Sequence, residues 1–191
     1  ENDAFNRLVL TAGLAWRDVA LLRAYARYLK QIRLGFDLGY IANTLLNHPD
    51  IARELVRLFK TRFYLARKLN ADDLHDKQHK LEQAILGALD NVAVLNEDRI
   101  LRRYLDLIKA TLRTNFYQPD ASGENKGYFS FKFDPSAITD LPRPVPKFEI
   151  FVYSPRVEGV HLRFGNVARG GLRWSDREED FRTEVLGLVK A

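Results

Sequence analysis

The feature of this sequence that most constrains its fold is a change in the spacing of apolar residues across positions 119–127. Before this segment, apolar residues recur every three or four positions, which is the period of an amphipathic helix. After it, the segment from Tyr128 to Phe133 alternates strictly between aromatic and other residues, which is typical of a half-buried strand. A chain of 191 residues can hold one sizeable domain or two small ones. The two periods therefore predict a helical part followed by a part that contains a sheet.

The first part is predicted to be helical throughout. The predicted helices are Ala4–Leu14, Trp16–Leu34, Asp37–Leu46, one that begins at Pro49, Leu74–Val92 and Ile100–Leu112. Proline is harmless in the first turn of a helix, and the polar break at Asn70 carries good capping chemistry. The last two helices are joined by a short polar turn, which favours an antiparallel hairpin. A coiled-coil partner helix from another chain is the alternative.

The second part is predicted to form a small sheet of about three strands and a C-terminal helix. The predicted elements are the strands Tyr128–Phe133, Lys147–Tyr153 and Val157–Phe164 and the helix Arg177–Ala191. The predicted fold class is thus α+β or α/β, with an all-helical module before the sheet. The predicted division is a helical module at 1–118, a loop at 119–127 and a sheet domain at 128–191.

Composition narrows the class of protein. With 46% hydrophobic and 12% aromatic residues the chain is globular, and it has no apolar run long enough to cross a membrane. It has no cysteine, which excludes disulfides and thiolate metal sites and fits a cytoplasmic location. The net charge of +5 permits acidic partners without requiring them. Because methionine is absent, even at position 1, and the last helix has no C-cap, both ends are expected to be boundaries within a longer protein.

The segment after the third predicted strand carries the most specific chemistry. Arg169 and Arg173 bracket the pair Gly170 and Gly171. Glycines allow φ > 0 and a close approach to a ligand, and each guanidinium presents a planar fork of donors that suits a carboxylate or a phosphate. The glycine pair is expected to form a sharp strand-to-helix turn that binds a small anion.

The residues that follow Arg173 are relevant to whether this segment binds an anion. Ser175 and Glu178 fit a capping box, so helix amides are expected to open near the arginines. The alternative is a turn without a ligand, in which the arginines pair with nearby carboxylates: Asp176, Glu178, Glu179 and Asp180.

The string from Ala168 to Arg177, continued without a gap from Phe181 to Ala191, resembles the start of the substrate domain of the large NAD-dependent glutamate dehydrogenases of bacteria. In the smaller glutamate dehydrogenases a lysine precedes the glycine pair and helps hold a carboxylate of glutamate. The resemblance places Arg169 at that lysine. Arginine is a wide planar fork and lysine a compact point charge, so a carboxylate contact carries over but its geometry does not.

The resemblance implies oxidative deamination of L-glutamate to 2-oxoglutarate and ammonia, with NAD as hydride acceptor. It implies Arg169, Gly170, Gly171 and Arg173 as substrate-binding residues, and it places the catalytic lysine beyond Ala191. The sequence has no G-x-G-x-x-G string, so NAD is expected to bind in a domain outside this chain. The isolated chain is accordingly predicted to be inactive. The full enzyme is expected to be a cytoplasmic homo-oligomer that binds neither nucleic acid nor a membrane.

Two further patterns are interpreted as ordinary surface. His75 and His79 have the i, i+4 spacing of some zinc sites, but no third ligand is evident, and an exposed helix face is favoured, with no metal bound. Basic residues interleave with aromatic ones from Arg57 to Lys68, which would suit nucleic acid, but one amphipathic helix is favoured. A scaffold, oligomerisation or nucleic-acid-binding module without enzymatic role is the alternative function.

Overall fold

The computed structural model describes residues 2–64, 70–174 and 181–190. In chain order the helices are α1 (Leu8–Thr11), α2 (Trp16–Gln31), α3 (Leu38–Asn47), α4 (Pro49–Phe63), α5 (Ala71–Leu89), α6 (Leu95–Ala110) and α7 (Phe181–Lys190), with short 3-10 turns at Ala4–Arg7 and Pro135–Ala137. The predicted start signals are confirmed. Pro49 is the first residue of α4, and the Asn70 side chain accepts a hydrogen bond of 2.8 Å from the Asp73 N–H at the start of α5.

Within the described residues, the sheet has five strands, all antiparallel to their neighbours, in the order β1-β2-β3-β4-β5. The strands are β1 (Thr111–Thr114), β2 (Phe129–Phe133), β3 (Phe148–Tyr153), β4 (Val157–Phe164) and β5 (Val167–Trp174). The prediction of about three strands is therefore wrong in number, although β2, β3 and β4 lie where they were expected.

The two unpredicted strands lie at the two edges of the described sheet. Strand β1 follows helix α6 directly, where the predicted helix ran on to Leu112. Its Thr111 and Thr114 pair with β2, and this pairing overrides the helical spacing of the sequence. Strand β5 contains the glycine pair, which strand propensity disfavours. Both depend on a neighbouring strand rather than on local preference.

One face of the sheet packs against helix α2. The ring of Tyr25 stacks on that of Phe131 with centroids 4.8 Å apart, and the ring of Tyr28 stacks on that of Phe133 at 4.5 Å. Buried residues of the helices and of the sheet form one continuous hydrophobic cluster. The sheet face that looks toward α2 is called the inner face below.

The sheet draws on residues from both sides of the predicted linker. Strand β1 lies before residue 118, and its partner β2 lies beyond residue 127. The division into 1–118, 119–127 and 128–191 stays a prediction. The predicted hairpin helices are α5 and α6, which are linked by an ion pair of 3.0 Å between Lys109 Nζ and Glu82 Oε2. Helix α5 packs more extensively on α4 than on α6.

None of the described helices is both long enough and apolar enough to cross a bilayer.

Candidate substrate site

The arginine-glycine segment lies in strand β5, at the edge of the described sheet. A two-residue turn at Gly165 and Asn166 reverses the chain, so that Phe164 pairs with Val167. Gly165 has φ 62°, in the left-handed region that favours glycine. The prediction that the glycine pair itself forms a sharp strand-to-helix turn is therefore wrong. A sequence signal for the hairpin exists, because a glycine-asparagine pair between two alternating runs is typical of one.

The register of the sheet separates the candidate residues onto two faces. Arg169 pairs with Leu162, which is buried, and Arg173 pairs with Glu158, which is also buried. Since side chains alternate along a strand, Arg169, Gly171 and Arg173 belong to the inner face and Gly170 to the outer one. The structure thus brings both predicted arginines to one face of β5.

Gly170 and Gly171 are required by close packing against the protein itself. A Cβ on Gly170 would lie 2.8 Å from the carbonyl oxygen of Val160 and 3.2 Å from His161 Cα. A Cβ on Gly171 would lie 2.9 Å from Phe181 Cζ, at the start of helix α7. Neither glycine has a φ in the left-handed region, so the expectation of φ > 0 is wrong for this pair. The glycines let β5 lie close to β4 and let α7 lie close to β5.

Replacing Gly170 by alanine is expected to lower the free energy of unfolding by about 1–3 kcal/mol, because the added methyl group meets backbone atoms of β4 that have little room to move. Urea unfolding followed by circular dichroism measures this. Gly187→Ala in helix α7 is the matched control: its Cβ would have no atom within 4 Å, and alanine favours a helix by about 0.5–1 kcal/mol. Equal effects of the two substitutions would contradict the packing explanation.

The guanidinium of Arg169 is open to solvent. The residue is exposed, and Nη1 donates a hydrogen bond of 3.0 Å to the carbonyl oxygen of Ala168. Among the described residues, no carboxylate lies within ion-pair distance of it. The carboxylates of the alternative interpretation, at positions 176 and 178–180, lie outside the described residues, as does the predicted capping box. Within the described residues, the Arg169 guanidinium is thus available to a carboxylate from solution.

Arg173 differs from Arg169 in its surroundings. Only 11% of its side chain is exposed, and Nη2 lies 3.6 Å from Glu158 Oε2. Its guanidinium carbon also lies 5.5 Å from the ring centroid of Phe181, within the range of a cation–π contact. Arg173 is thus held between strand β4 and helix α7.

Strands β3 and β4 and helix α7 carry buried charged residues that sequence reasoning missed. Arg182 and Glu149 are both fully buried and form a two-pronged ion pair, with distances of 2.7 Å from Nε to Oε1 and 2.9 Å from Nη2 to Oε2. A signal for it exists, because Glu149 and Glu158 occupy inward positions of alternating strands, where an apolar residue is the norm.

Glu158 is surrounded by three donor side chains from two elements, helix α2 and strand β5. Gln31 Nε2, from helix α2, donates to Oε2 at 3.1 Å, and Arg27 Nε lies 3.8 Å from Oε1. Arg173 completes the set from strand β5. Burial raises the pKa of the Glu158 carboxyl, while the charges of Arg27 and Arg173 act in the opposite direction. These donors therefore oppose the effect of burial on the pKa of the Glu158 carboxyl.

The other predicted surfaces take no part in this site. His75 and His79 lie exposed on α5, with ring centroids 6.5 Å apart. Among the described residues, no group of three or more side chains could hold a metal ion. On helix α4, Phe59 is buried, Phe63 is half-buried and Arg57 is exposed, as the amphipathic interpretation predicts. Tyr64, directly after the helix, is exposed and does not belong to the core. Arg67 and Lys68 lie outside the described residues.

Two parts of the chain match families of known proteins. Residues 1–65 match the family model described as glutamate dehydrogenase, helical motif 3. Residues 84–191, more than half of the chain, match the model described as bacterial NAD-glutamate dehydrogenase, catalytic domain. The chain belongs to the bacterial NAD-glutamate dehydrogenase family. The resemblance found in the sequence is thereby confirmed, and the β4–β5 hairpin and helix α7 lie within the catalytic-domain match.

Relatives within the bacterial NAD-glutamate dehydrogenases match along the whole chain. It is 87% identical to a protein of Pseudomonas aeruginosa, 62% to one of Halomonas elongata and 50% to one of Mycobacterium tuberculosis, each named NAD-specific glutamate dehydrogenase. In all three, the match covers 100% of this chain and 12% of the relative. The chain thus spans 12% of the length of these relatives.

The described residues of this family member do not fit the dinucleotide that the family name implies. A dinucleotide site of the common type needs a parallel strand-turn-helix unit with a glycine-rich turn. The described sheet is antiparallel throughout, and the sequence has no G-x-G-x-x-G string.

Proposed function

We propose that the whole protein is an NAD-dependent glutamate dehydrogenase, and that this chain supplies a helical module and the opening strands of its substrate domain. The reaction converts L-glutamate, NAD⁺ and water to 2-oxoglutarate, ammonium, NADH and a proton. The catalytic lysine and the NAD site belong to residues outside this chain. The fit to a catalytic-domain family along residues 84–191 supports this assignment.

The observation that carries the proposal is the exposed guanidinium of Arg169 at the edge of the inner face. It lies within the catalytic-domain match, and no described carboxylate pairs with it. Parallel N–H groups of a guanidinium bind the two oxygens of a carboxylate in one plane. Arg169 is proposed to hold one carboxylate of glutamate.

The remaining candidate residues support Arg169 in this proposal. Arg173 lies against Glu158 and Phe181, so its role is to brace the strand near the substrate. Gly170 and Gly171 let strand β5 lie close to β4 and to helix α7, which helps to fix the position of Arg169. In this proposal Arg169 binds the substrate, and Gly170, Gly171 and Arg173 support the strand that carries it.

The proposal predicts that the whole protein forms NADH when it is given L-glutamate and NAD, and that the isolated 191-residue chain does not. The isolated chain lacks the proposed catalytic lysine and NAD site, so only background turnover is expected. NADH absorbance measures both reactions, with L-aspartate as the control for selectivity between dicarboxylic amino acids. Absence of glutamate-dependent NADH formation by the whole protein would overturn the proposed function, and turnover by the isolated chain would overturn the placement of the chemistry outside it.

The predictions of a homo-oligomer, of a cytoplasmic location and of no nucleic-acid or membrane partner stay predictions. The alternative of a scaffold or nucleic-acid-binding module gains no specific support, since helix α4, which carries the described part of the basic and aromatic run, buries Phe59 in the core.

A further inference from the structure

Gln31 is a buried polar residue of helix α2 that contacts the sheet-containing part of the chain. It is the last residue of α2 and only 2% of it is exposed. Both the nitrogen and the oxygen of its side-chain amide form hydrogen bonds. Nε2 donates to Glu158 Oε2 at 3.1 Å, and Oε1 accepts the backbone N–H of Arg182 at 2.9 Å. One side chain of the helical part therefore bonds strand β4 and helix α7 at once.

The two hydrogen-bond partners of Gln31 are Glu158 and Arg182, and they belong to the two elements that pack against strand β5. Glu158 is the cross-strand neighbour of Arg173, and their side chains lie 3.6 Å apart. The main chain that carries Arg182 begins α7, whose Phe181 packs where a Cβ of Gly171 would lie. A displacement of β4 relative to α7 would therefore move β5, and with it the guanidinium of Arg169.

Among the described residues, Gln31 is the donor that lies within hydrogen-bond distance of the Glu158 carboxylate. Glu158 Oε1 accepts no hydrogen bond, and the nearest Arg27 nitrogen is 3.8 Å away. The backbone N–H of Arg182 donates to Gln31 Oε1 at 2.9 Å and is buried. Loss of the Gln31 amide would remove the hydrogen-bond donor of a buried carboxylate and the hydrogen bond that joins helix α2 to the main chain of α7.

We propose that Gln31 is a positioning residue for substrate binding, which acts by holding strand β4 and helix α7 in the arrangement that places Arg169 at the substrate carboxylate. This inference rests on the proposed function. The helical part accordingly helps to set the geometry of the substrate site and also supports the sheet.

The test is steady-state kinetics of the whole protein carrying Gln31→Met, which keeps the length of the side chain and removes both hydrogen bonds. A shift of about 1 Å in a binding group can cost up to about 100-fold, so kcat/KM for glutamate is expected to fall at least ~10-fold. The fall is expected mainly in the KM for glutamate, with the KM for NAD unchanged, because the proposed NAD site lies outside this chain.

The matched control is Tyr25→Phe in the same helix. The Tyr25 hydroxyl is buried and bonds Thr111 Oγ1 of strand β1 at 2.8 Å, at the opposite edge of the described sheet from β5. This substitution also removes a buried hydrogen bond between α2 and the sheet. It is expected to lower the thermal stability and to leave the KM for glutamate unchanged.

The outcomes separate this inference from the proposed function. If the unsubstituted protein forms no NADH from glutamate, the proposed function fails. If it is active and Gln31→Met leaves the KM for glutamate within twofold, or raises it no more than Tyr25→Phe does, only the inference about Gln31 fails. Should Gln31→Met not fold, Gln31→Glu, which keeps the acceptor for Arg182 N–H, is measured by the same criteria. Failure of both variants to fold would make Gln31 a folding residue only and overturn the inference.

Discussion

Replacing Arg182 by methionine is expected to lower the free energy of unfolding by about 3–5 kcal/mol, the largest effect on stability that we predict for this chain. Methionine fills much of the space of the arginine side chain, so the loss arises mainly from the carboxylate left behind. Glu149 is fully buried, and its two oxygens take their charged hydrogen bonds from Arg182 at 2.7 and 2.9 Å. Urea unfolding of the 191-residue chain, followed by circular dichroism, measures the change.

Two controls separate burial from the mere loss of an ion pair. Arg102→Met removes a pair with Asp98 at 2.9 Å on helix α6, where 41% of the arginine side chain is exposed, and is expected to cost about 0.3–0.5 kcal/mol. The double variant Arg182→Met with Glu149→Met removes both buried charges and is expected to recover most of the loss. If Arg182→Met costs no more than Arg102→Met, the buried pair does not hold α7 against the sheet.

Replacing Arg169 by alanine in the whole protein is expected to raise the KM for glutamate about 10–100-fold, because a charge-assisted hydrogen bond to a carboxylate contributes about 1.5–3 kcal/mol. A contact with a carboxylate that does not react is made equally before and during the chemical step. The effect should therefore appear in KM, with kcat largely unchanged. Initial rates of NADH formation over a range of glutamate concentrations give both constants.

Arg163→Ala is the matched control for this measurement. Arg163 lies on strand β4 of the same hairpin and is exposed, but it belongs to the outer face of the sheet. Its removal changes the net charge equally and is expected to leave the KM for glutamate unchanged. Arg169→Lys should retain part of the binding, because it keeps a positive charge and loses the planar fork. An unchanged KM in Arg169→Ala would remove Arg169 from the substrate site.

The helices were predictable because their signals are local. The apolar spacing of α2, α4 and α6, the proline that begins α4 and the capping asparagine before α5 all act within one or two turns of the chain. Strands β2, β3 and β4 were predictable for the same reason, since each alternates strongly enough to be recognised alone. Strands β1 and β5 were missed because their conformation depends on pairing with a neighbour.

The candidate site likewise has some features that the sequence predicts and others that it does not. The sequence points to Arg169 and Arg173 through the glycines between them, but it does not distinguish the exposed guanidinium from the one held by Glu158. Gln31 could not be found from the sequence, because its partners lie 127 and 151 positions away along the chain. Interactions over such separations are set by how the helices pack on the sheet.

By itself, the sequence determined the helical part, three central strands and a likeness to one family of enzymes, because periodicity, capping and a specific string of residues are properties of neighbouring positions. Only the tertiary structure decided that the glycine pair lies within an edge strand, that Arg173 lies against Glu158 while Arg169 is exposed, and that helix α2 bonds strand β4 and helix α7 through Gln31. Burial and pairing between distant residues determine these features, and local sequence patterns do not record them.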